Sequence, residues 1–196
     1  MRASLLLAAG ALLAPAALVA QSSPFSLEAR TEVAVPLQDF GNVEPGTGVG
    51  FGADVFYRLV PHVAAYAGWA MHHFSFDAGP GEIDIEQTGY TLGLRYEHPF
   101  RGEGAAGARE PAWWVNAGGI LGHFELEDEA GEDAGDADFG LGWEAGAGIS
   151  WPLGARVALA PGVGVRMLRR EIDLGLGPQD ATLSYFTAGL GVVVGF

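Results

Sequence analysis

Charged side chains recur at alternate positions inside otherwise apolar segments of this 196-residue chain. Acidic side chains can pair with arginine, whose planar guanidinium group can bind two carboxylates at once. On the faces that we assign to the inside of the molecule, five acids balance five bases. They are Glu28, Glu32, Asp54, Glu97 and Glu144 against Arg30, Arg58, Arg95, Arg156 and Arg166. The set predicts either a salt-bridge network that fills an interior or the lining of a narrow polar path.

A second charged segment contains carboxylates without any base. Residues 125–138 read ELEDEAGEDAGDAD and carry eight acids. Carboxylate oxygens are the ligands that Ca²⁺ prefers, but the spacing matches no EF-hand. We expect a solvated, self-repelling loop without a bound metal, and we keep a divalent-cation bridge to lipopolysaccharide phosphates as a hypothesis. The candidate ligands would be Asp128, Glu129, Glu132, Asp133, Asp136 and Asp138.

The segment MHHFSFD contains the residue types of a nucleophilic site. A catalytic serine requires a histidine base and an acid that orients the base. His72, His73 and Ser75 lie where an apolar segment meets a predicted loop. We expect the two histidines to be interfacial or structural. The remaining histidines are scattered without metal-ligand spacing, and the sequence predicts neither an enzyme nor a cofactor.

Composition restricts the class of protein. The formal net charge is −14, all ten basic residues are arginine, and cysteine is absent. Such acidity argues against a nucleic-acid partner, because phosphate binding requires a basic surface. The lack of cysteine excludes disulfides and thiolate metal sites. A hydrophobic content of 49% is too high for a disordered chain and is high enough for a folded core or a membrane protein.

Residues 1–20 differ from the rest of the chain. Arg2 is followed by the apolar run SLLLAAGALLAPAALVA, and the polar residues begin at Gln21. This pattern predicts a Sec signal peptide that is cleaved after Ala20, leaving residues 21–196 as the mature domain. A membrane anchor is the alternative, but the run is short for a spanning helix and Pro15 interrupts it.

The remaining sequence alternates between apolar and small or polar residues about eight times, as in FGLGWEAGAGISW at residues 139–151. A period of two is typical of β-strands, because successive side chains point to opposite faces. The predicted strands are 25–36, 47–60, 62–74, 86–98, 112–126, 139–151, 155–168 and 182–196. Two of them have an ambiguous phase: 62–74 is apolar on both faces, and in 112–126 only Asn116 suggests which face is polar.

The polar faces are rich in glycine and contain no lysine, unlike a strand surface that faces water. Glycine and isolated charges fit the inside of a narrow barrel, so the apolar faces should contact lipid. Aromatic residues at the predicted strand ends agree with two interfacial girdles. We place Tyr57, Tyr96, Trp113, Trp114, Trp151 and Phe196 at one rim, and Tyr90, Phe139 and Phe186 at the other. Longer outer loops are expected near 37–46, 75–85, 127–138 and 169–181.

These features resemble the small eight-stranded outer-membrane β-barrels of the OmpA/OmpX type. The resemblance covers the whole mature chain and is most specific in VAVPLQDFGNVEPGTGVGFGADVFYRL and in the last strand, YFTAGLGVVVGF. It implies an all-β, antiparallel up-and-down transmembrane barrel in the bacterial outer membrane. It also implies that Gly191, Val194 and Phe196 form a signal for the barrel-assembly machinery.

The resemblance leaves two functions open, because the family includes anchors, adhesins and small pores. The balanced interior charges favour a structural or surface-interaction scaffold with a plugged lumen, and the alternative is a narrow pore for small solutes or ions. The expected partners are outer-membrane lipid, lipopolysaccharide, the barrel-assembly machinery and periplasmic chaperones, and we expect a monomer. Since nothing follows Phe196, we expect no peptidoglycan-binding domain.

Overall fold

The computed structural model of the chain describes residues 23–38, 46–77, 82–101, 110–128, 133–173 and 178–196. These residues form eight strands: β1 (Phe25–Pro36), β2 (Gly48–Val60), β3 (Val63–Asp77), β4 (Glu82–Pro99), β5 (Ala112–Asp128), β6 (Asp133–Pro152), β7 (Val157–Asp173) and β8 (Pro178–Gly195). Each strand pairs antiparallel with its neighbour in sequence, and β1 pairs with β8 to close the barrel. No described helix is long and apolar enough to cross a membrane.

Both ends of the described chain lie at one end of the barrel, which we call the terminal end. There the Ser23 amide donates to the carbonyl of Phe196 at 2.9 Å. The short connections at residues 61–62, between β2 and β3, and at residues 153–156, between β6 and β7, lie at the same end. Successive strands alternate in direction, so β2 and β6 both run back to the end at which β1 begins. The opposite end, which we call the distal end, carries the tips of the longer hairpins.

The two faces of the barrel have inverted polarity. Outward side chains are large and apolar, and Leu141 is 78% exposed. Inward side chains include buried charges such as Glu28, which is 2% exposed, and Arg166, which is 4% exposed. A soluble barrel has the opposite arrangement, so this wall is built to be surrounded by lipid. The predicted fold class and the predicted orientation of the faces are confirmed.

The structure resolves the two ambiguous strands. In β3 the even-numbered residues face inward, with Tyr66, Ala70, His72 and Phe74 buried. In β5 the even-numbered residues again face inward, so that Asn116 lies on the lumen side and Trp113 on the lipid side. The prediction for Trp114 is wrong: this residue is buried in the lumen and is not part of the outer girdle. Two adjacent tryptophans in a strand cannot share one face.

The rim aromatics otherwise form contacts on the outside of the terminal end. The rings of Phe25 and Tyr57 lie 4.9 Å apart, and those of Tyr96 and Trp113 lie 5.4 Å apart. Trp151 near the end of β6 and Phe196 just after β8 are also exposed at this rim. The pairs indicate a girdle at this interface, because aromatic rings favour the boundary between lipid and water.

The distal hairpins are longer than predicted. Strand pairing continues to Asp77↔Glu82 between β3 and β4, to Ile83↔Asp128 between β4 and β5, and to Asp173↔Pro178 between β7 and β8. The prediction of long loops at 75–85, 127–138 and 169–181 is therefore wrong for most of those residues. Backbone hydrogen bonds extend a ladder that is already in register, whatever the polarity of its side chains.

The outward face makes a direct prediction about lipid contact. Leu92 is 69% exposed in the middle of β4. We expect Leu92→Arg to lower the free energy of unfolding by about 2–4 kcal/mol, because the charged guanidinium group on the lipid face would have to move from water into hydrocarbon. The measurement is reversible denaturant unfolding in lipid vesicles. Leu92→Ala serves as the size control, and an equal loss in both variants would contradict a lipid-facing position.

Candidate functional site

A network of ion pairs occupies the centre of the lumen. Arg95 Nη1 lies 2.6 Å from Glu28 Oε2, and Arg166 Nη2 lies 2.6 Å from Glu144 Oε2. Arg30 pairs with Asp54, and its Nε lies 3.5 Å from Glu32 Oε1. Three arginines from β1, β4 and β7 thus bind four carboxylates from β1, β2 and β6. Pairing offsets the desolvation cost of charges that have left water.

Strand register explains these partners. Glu144 and Arg166 are directly opposite across β6 and β7. Glu28 lies opposite Asp54 across β1 and β2, where two like charges would repel. Each of these acids instead takes a different arginine, Arg95 for Glu28 and Arg30 for Asp54.

Neutral hydrogen bonds complete the network around Glu144. The Tyr66 hydroxyl donates to Glu144 Oε1 at 2.7 Å, and Asn116 Nδ2 donates to the Tyr66 oxygen at 3.2 Å. With Arg166 on its other oxygen, Glu144 has a partner for each oxygen atom. A buried carboxylate of this kind is held in one orientation, because any displacement would leave a polar atom unpaired.

His72 links the network to a second polar group on the distal side. Its Nε2 lies 3.0 Å from Glu32 Oε2, and its Nδ1 lies 3.3 Å from the Tyr185 oxygen. Because a carboxylate only accepts hydrogen bonds, Nε2 carries the hydrogen in this contact. Tyr185 in turn lies 2.6 Å from Gln87 Oε1. The chain Glu32–His72–Tyr185–Gln87 therefore crosses the lumen from β1 to β4.

Large apolar side chains close the lumen on the distal side of the charges. Five that are fully buried among the described residues come from the four strands β3, β4, β7 and β8. The ring of Phe74 packs edge-on against Tyr185, with centroids 5.1 Å apart. We call this set the distal plug: Phe74, Ile85, Leu168, Leu183 and Tyr185.

Glycines make room for these inward side chains. A Cβ atom at Gly48 would lie 2.6 Å from the Phe74 ring, and one at Gly162 would lie 2.6 Å from the Trp114 ring. At Gly191 it would lie 2.7 Å from Glu28 Oε1. The inward glycines are therefore sites of close approach, where a side chain from an adjacent or nearby strand lies over the glycine.

An aromatic sandwich separates the network from the terminal end. The Arg95 guanidinium lies between the rings of Phe56, at 4.2 Å, and Trp114, at 4.3 Å. On the network side is a small polar cavity of about 50 Å³. On the other side is a larger cavity of about 550 Å³, which we call the vestibule and which reaches the terminal end near Ser23 and Pro61.

The structure distributes the ten predicted interior charges over three places. Seven lie in the network: Glu28, Arg30, Glu32, Asp54, Arg95, Glu144 and Arg166. Arg58 and Glu97 line the vestibule and form no ion pair with a described residue. Arg156 is exposed in the turn before β7, so its assignment to the interior is wrong. The strand begins at Val157, two residues later than its alternation suggested.

His72 belongs to the network, although the sequence pattern did not predict it. His72 is fully buried in the lumen, whereas the adjacent His73 and Ser75 lie on the outward side of β3. The three residues therefore do not form a common site. Because β3 is apolar on both faces, its alternation gave no signal for the inward side. Tyr185 and Gln87 lie on faces that were predicted to be inward. Both are uncharged, so the balance of interior charges gave no signal for them.

The acidic segment lies at the tips of β5 and β6. Glu129 and Glu132 are outside the described residues, and Asp128, Asp133, Asp136 and Asp138 belong to the two strands. Nearby, His123 Nε2 lies 2.7 Å from Glu125 Oε1. No group of three or more metal-binding side chains occurs in the described part of the chain.

Two of the predicted assembly residues, Gly191 and Val194, lie in β8. Phe196 follows the strand, and its backbone amide and carbonyl form hydrogen bonds with Phe25 and Ser23.

Comparison with known proteins identifies the fold. No protein-family profile matches the chain, and no curated protein matches it. Solved structures do match over nearly the full length. They include Neisserial surface protein A (TM-score 0.64, 14% identity, 89% of this chain and 98% of that one) and outer membrane protein OprG from Pseudomonas aeruginosa (TM-score 0.56, 13% identity, 90% and 97%).

A third match is the outer membrane protein AlkL, determined in lipid bilayers (TM-score 0.54, 16% identity, 93% of this chain and 95% of that one). At such low identities the likeness concerns the fold. The chain has the fold of the small eight-stranded outer-membrane β-barrels, as the sequence resemblance implied.

The central ion pair can be tested by a double-mutant cycle. Glu144→Gln should lower the free energy of unfolding by about 3–5 kcal/mol, because it leaves Arg166 charged and buried. The single variant Arg166→Met completes the cycle, and the double variant Glu144→Gln/Arg166→Met should be less destabilised than the sum of the two single variants. Denaturant unfolding in vesicles measures all three, and Arg101→Gln, an exposed arginine, should change stability by less than about 1 kcal/mol. Additive losses would contradict a coupled pair.

A glycine pair tests the close approach of Trp114. Gly162→Ala should lower stability by about 1–3 kcal/mol, since the new methyl group would overlap the indole ring. The matched control is Gly154→Ala in the turn before β7, where no atom lies within 4 Å of the added Cβ. Denaturant midpoints of the two variants compare them directly. Equal midpoints would show that the Trp114 ring does not pack against Gly162.

Proposed function

We propose that this protein is an outer-membrane scaffold with a closed lumen, whose outward surface holds it in lipid and whose acidic distal hairpins face the cell exterior. The observation that carries the proposal is the filling of the lumen. The network and the distal plug follow one another along the barrel axis and come from all sides of the wall. A salt-bridged interior of this kind fixes the shape of the wall and offers no binding surface of its own.

The remaining free volume supports the same function. The cavity inside the network is about 50 Å³, which has room for only a few water molecules. Eight strands enclose a lumen that side chains can just fill. A narrow pore for small solutes or ions is the second candidate. The vestibule is the observation in its favour, because it leaves the lumen open from the terminal end as far as Phe56 and Arg95.

The remaining expectations form part of the proposal. Residues 1–20 would direct export through the Sec pathway, and the terminal end would face the periplasm. Gly191, Val194 and Phe196 would be read by the barrel-assembly machinery after delivery by periplasmic chaperones. The mature barrel would be a monomer in contact with outer-membrane lipid and lipopolysaccharide. The neighbours AlkL and OprG are named as outer membrane proteins, which supports this location.

Planar-bilayer recording separates the two candidates. The wild-type protein should show no discrete conductance steps, because the network and the distal plug both fill the lumen. A variant with Phe74→Gly and Tyr185→Gly, which removes the two rings that meet in the distal plug, should also show none, because the network still fills the lumen. Heat-shifted gel mobility shows that each sample is folded. Steps in the wild-type protein that change with Arg30→Ala or Glu144→Ala would overturn the scaffold and establish a pore.

A further inference from the structure

The backbone ladder between β6 and β7 is interrupted near the terminal end. Paired residues run from Gly142↔Leu168 to Gly148↔Gly162 and resume only at Trp151↔Leu159. The residues without a pair across this seam are Ile149 and Ser150 on β6 and Ala160 and Pro161 on β7. Proline has no amide hydrogen and cannot donate to a neighbouring strand. On its other side β7 remains fully paired, with Pro161 opposite Leu190.

The interruption lies directly beside the vestibule. At this height Ser150 and Ala160 lie on the vestibule side of the wall, and Ile149 and Pro161 lie on the lipid side. Pro161 removes one donor from the ladder, which lowers the cohesion of the two strands there by about 1 kcal/mol.

The walls of the vestibule are largely apolar. Its volume of about 550 Å³ falls within the range of about 300–1,000 Å³ found for small-molecule sites. Its floor is the Phe56 ring on Arg95. The apolar side chains around it are Phe56, Val63, Ala64, Ala112, Ala158 and Val193. This lining suits a hydrocarbon chain.

Charges of both signs surround the same cavity without being paired to each other. Arg58 lies on β2 and forms no ion pair within the described part of the chain. Glu97 on β4 and Glu110 just before β5 lie on the other side. Glu110 Oε2 is buried and has no hydrogen-bond partner among the described residues. A buried acceptor without a donor is costly, and a ligand that donates would remove that cost.

We propose that the vestibule binds one single-chain phospholipid with a zwitterionic phosphoethanolamine headgroup, taken from the adjacent leaflet through the seam between β6 and β7. The phosphate binds Arg58, the ammonium group donates to Glu110, and the acyl chain lies against the apolar walls. Access through the seam allows the chain to move from bilayer to vestibule without crossing water.

Binding is tested with the full barrel in nanodiscs and with lysophosphatidylethanolamine as the probe. Native mass spectrometry should show one bound lysolipid per barrel. Arg58→Gln and Glu110→Gln should each weaken binding about tenfold, the effect of losing one charge-assisted hydrogen bond of about 1.4 kcal/mol. Arg101→Gln is the matched control, because that arginine does not line the vestibule. Equal affinity in all four proteins would overturn the proposal.

Two simpler amphiphiles assign the headgroup contacts. A fatty acid has no ammonium group, so its binding should respond to Arg58→Gln but not to Glu110→Gln. An alkylammonium ion should show the reverse. The methyl NMR signals of Ala112, Ala158 and Ala160, which line the vestibule, should shift on binding. Shifts confined to lipid-facing alanines such as Ala53 would place the probe on the outside and contradict the site.

The seam itself is tested by Pro161→Val, which restores an amide hydrogen opposite Ile149. The exchange of bound lysolipid with the bilayer should become about fivefold slower. The affinity of the barrel for lysolipid should remain unchanged, because Arg58 and Glu110 are still present. Gel mobility checks that the variant is folded. Unchanged exchange would show that the lipid reaches the vestibule from the open terminal end and not through the wall. Failure of these tests leaves the scaffold function intact, since that function rests on the distal plug.

Discussion

The rest of this structure depends on the desolvation of charges inside a barrel of eight strands. A lumen of this width is filled by the side chains that line it, and bulk water cannot solvate an ion there. Each buried acid of the network therefore needs a donor from another part of the wall. Glu28 takes Arg95 from β4 and Asp54 takes Arg30 from β1. The Glu28–Arg95 pair connects the non-adjacent strands β1 and β4, so it holds the cross-section of the barrel in shape in addition to neutralising charge.

The same lack of space explains the composition of the inner face. Where one strand contributes a large side chain, a nearby strand contributes glycine beneath it: Gly48 beneath Phe74, and Gly162 beneath Trp114. Along the barrel axis this gives three layers with different chemistry. The distal plug is apolar, the network is charged, and the vestibule is open. One architecture thus combines a sealed distal half with an accessible terminal half.

Much of this arrangement could be predicted from the sequence, because the alternation of apolar and polar residues indicates directly which face of a strand each side chain occupies. All eight strands and most of the inward charges follow from it, including Glu144 within FGLGWEAGAGISW. Alternation fails where both faces are apolar, as in β3, and so His72 was missed. It also fails at strand ends, where Arg156 falls in a turn and β4 begins at Glu82. Backbone pairing, which the side chains do not reveal, sets those boundaries.

The closure between β1 and β8 determines how this chain can fold. Leu27 pairs with Val194, and Glu28 lies against Gly191, so the first and last strands meet only when the whole chain is present. Contacts of such large sequence separation carry a high loop-closure entropy and form slowly. Until then β1 and β8 expose unpaired edges, and Glu28 and Arg30 lack a complete wall around them. The growing sheet therefore has to be kept from joining another chain during that interval, and the final pairing completes the barrel.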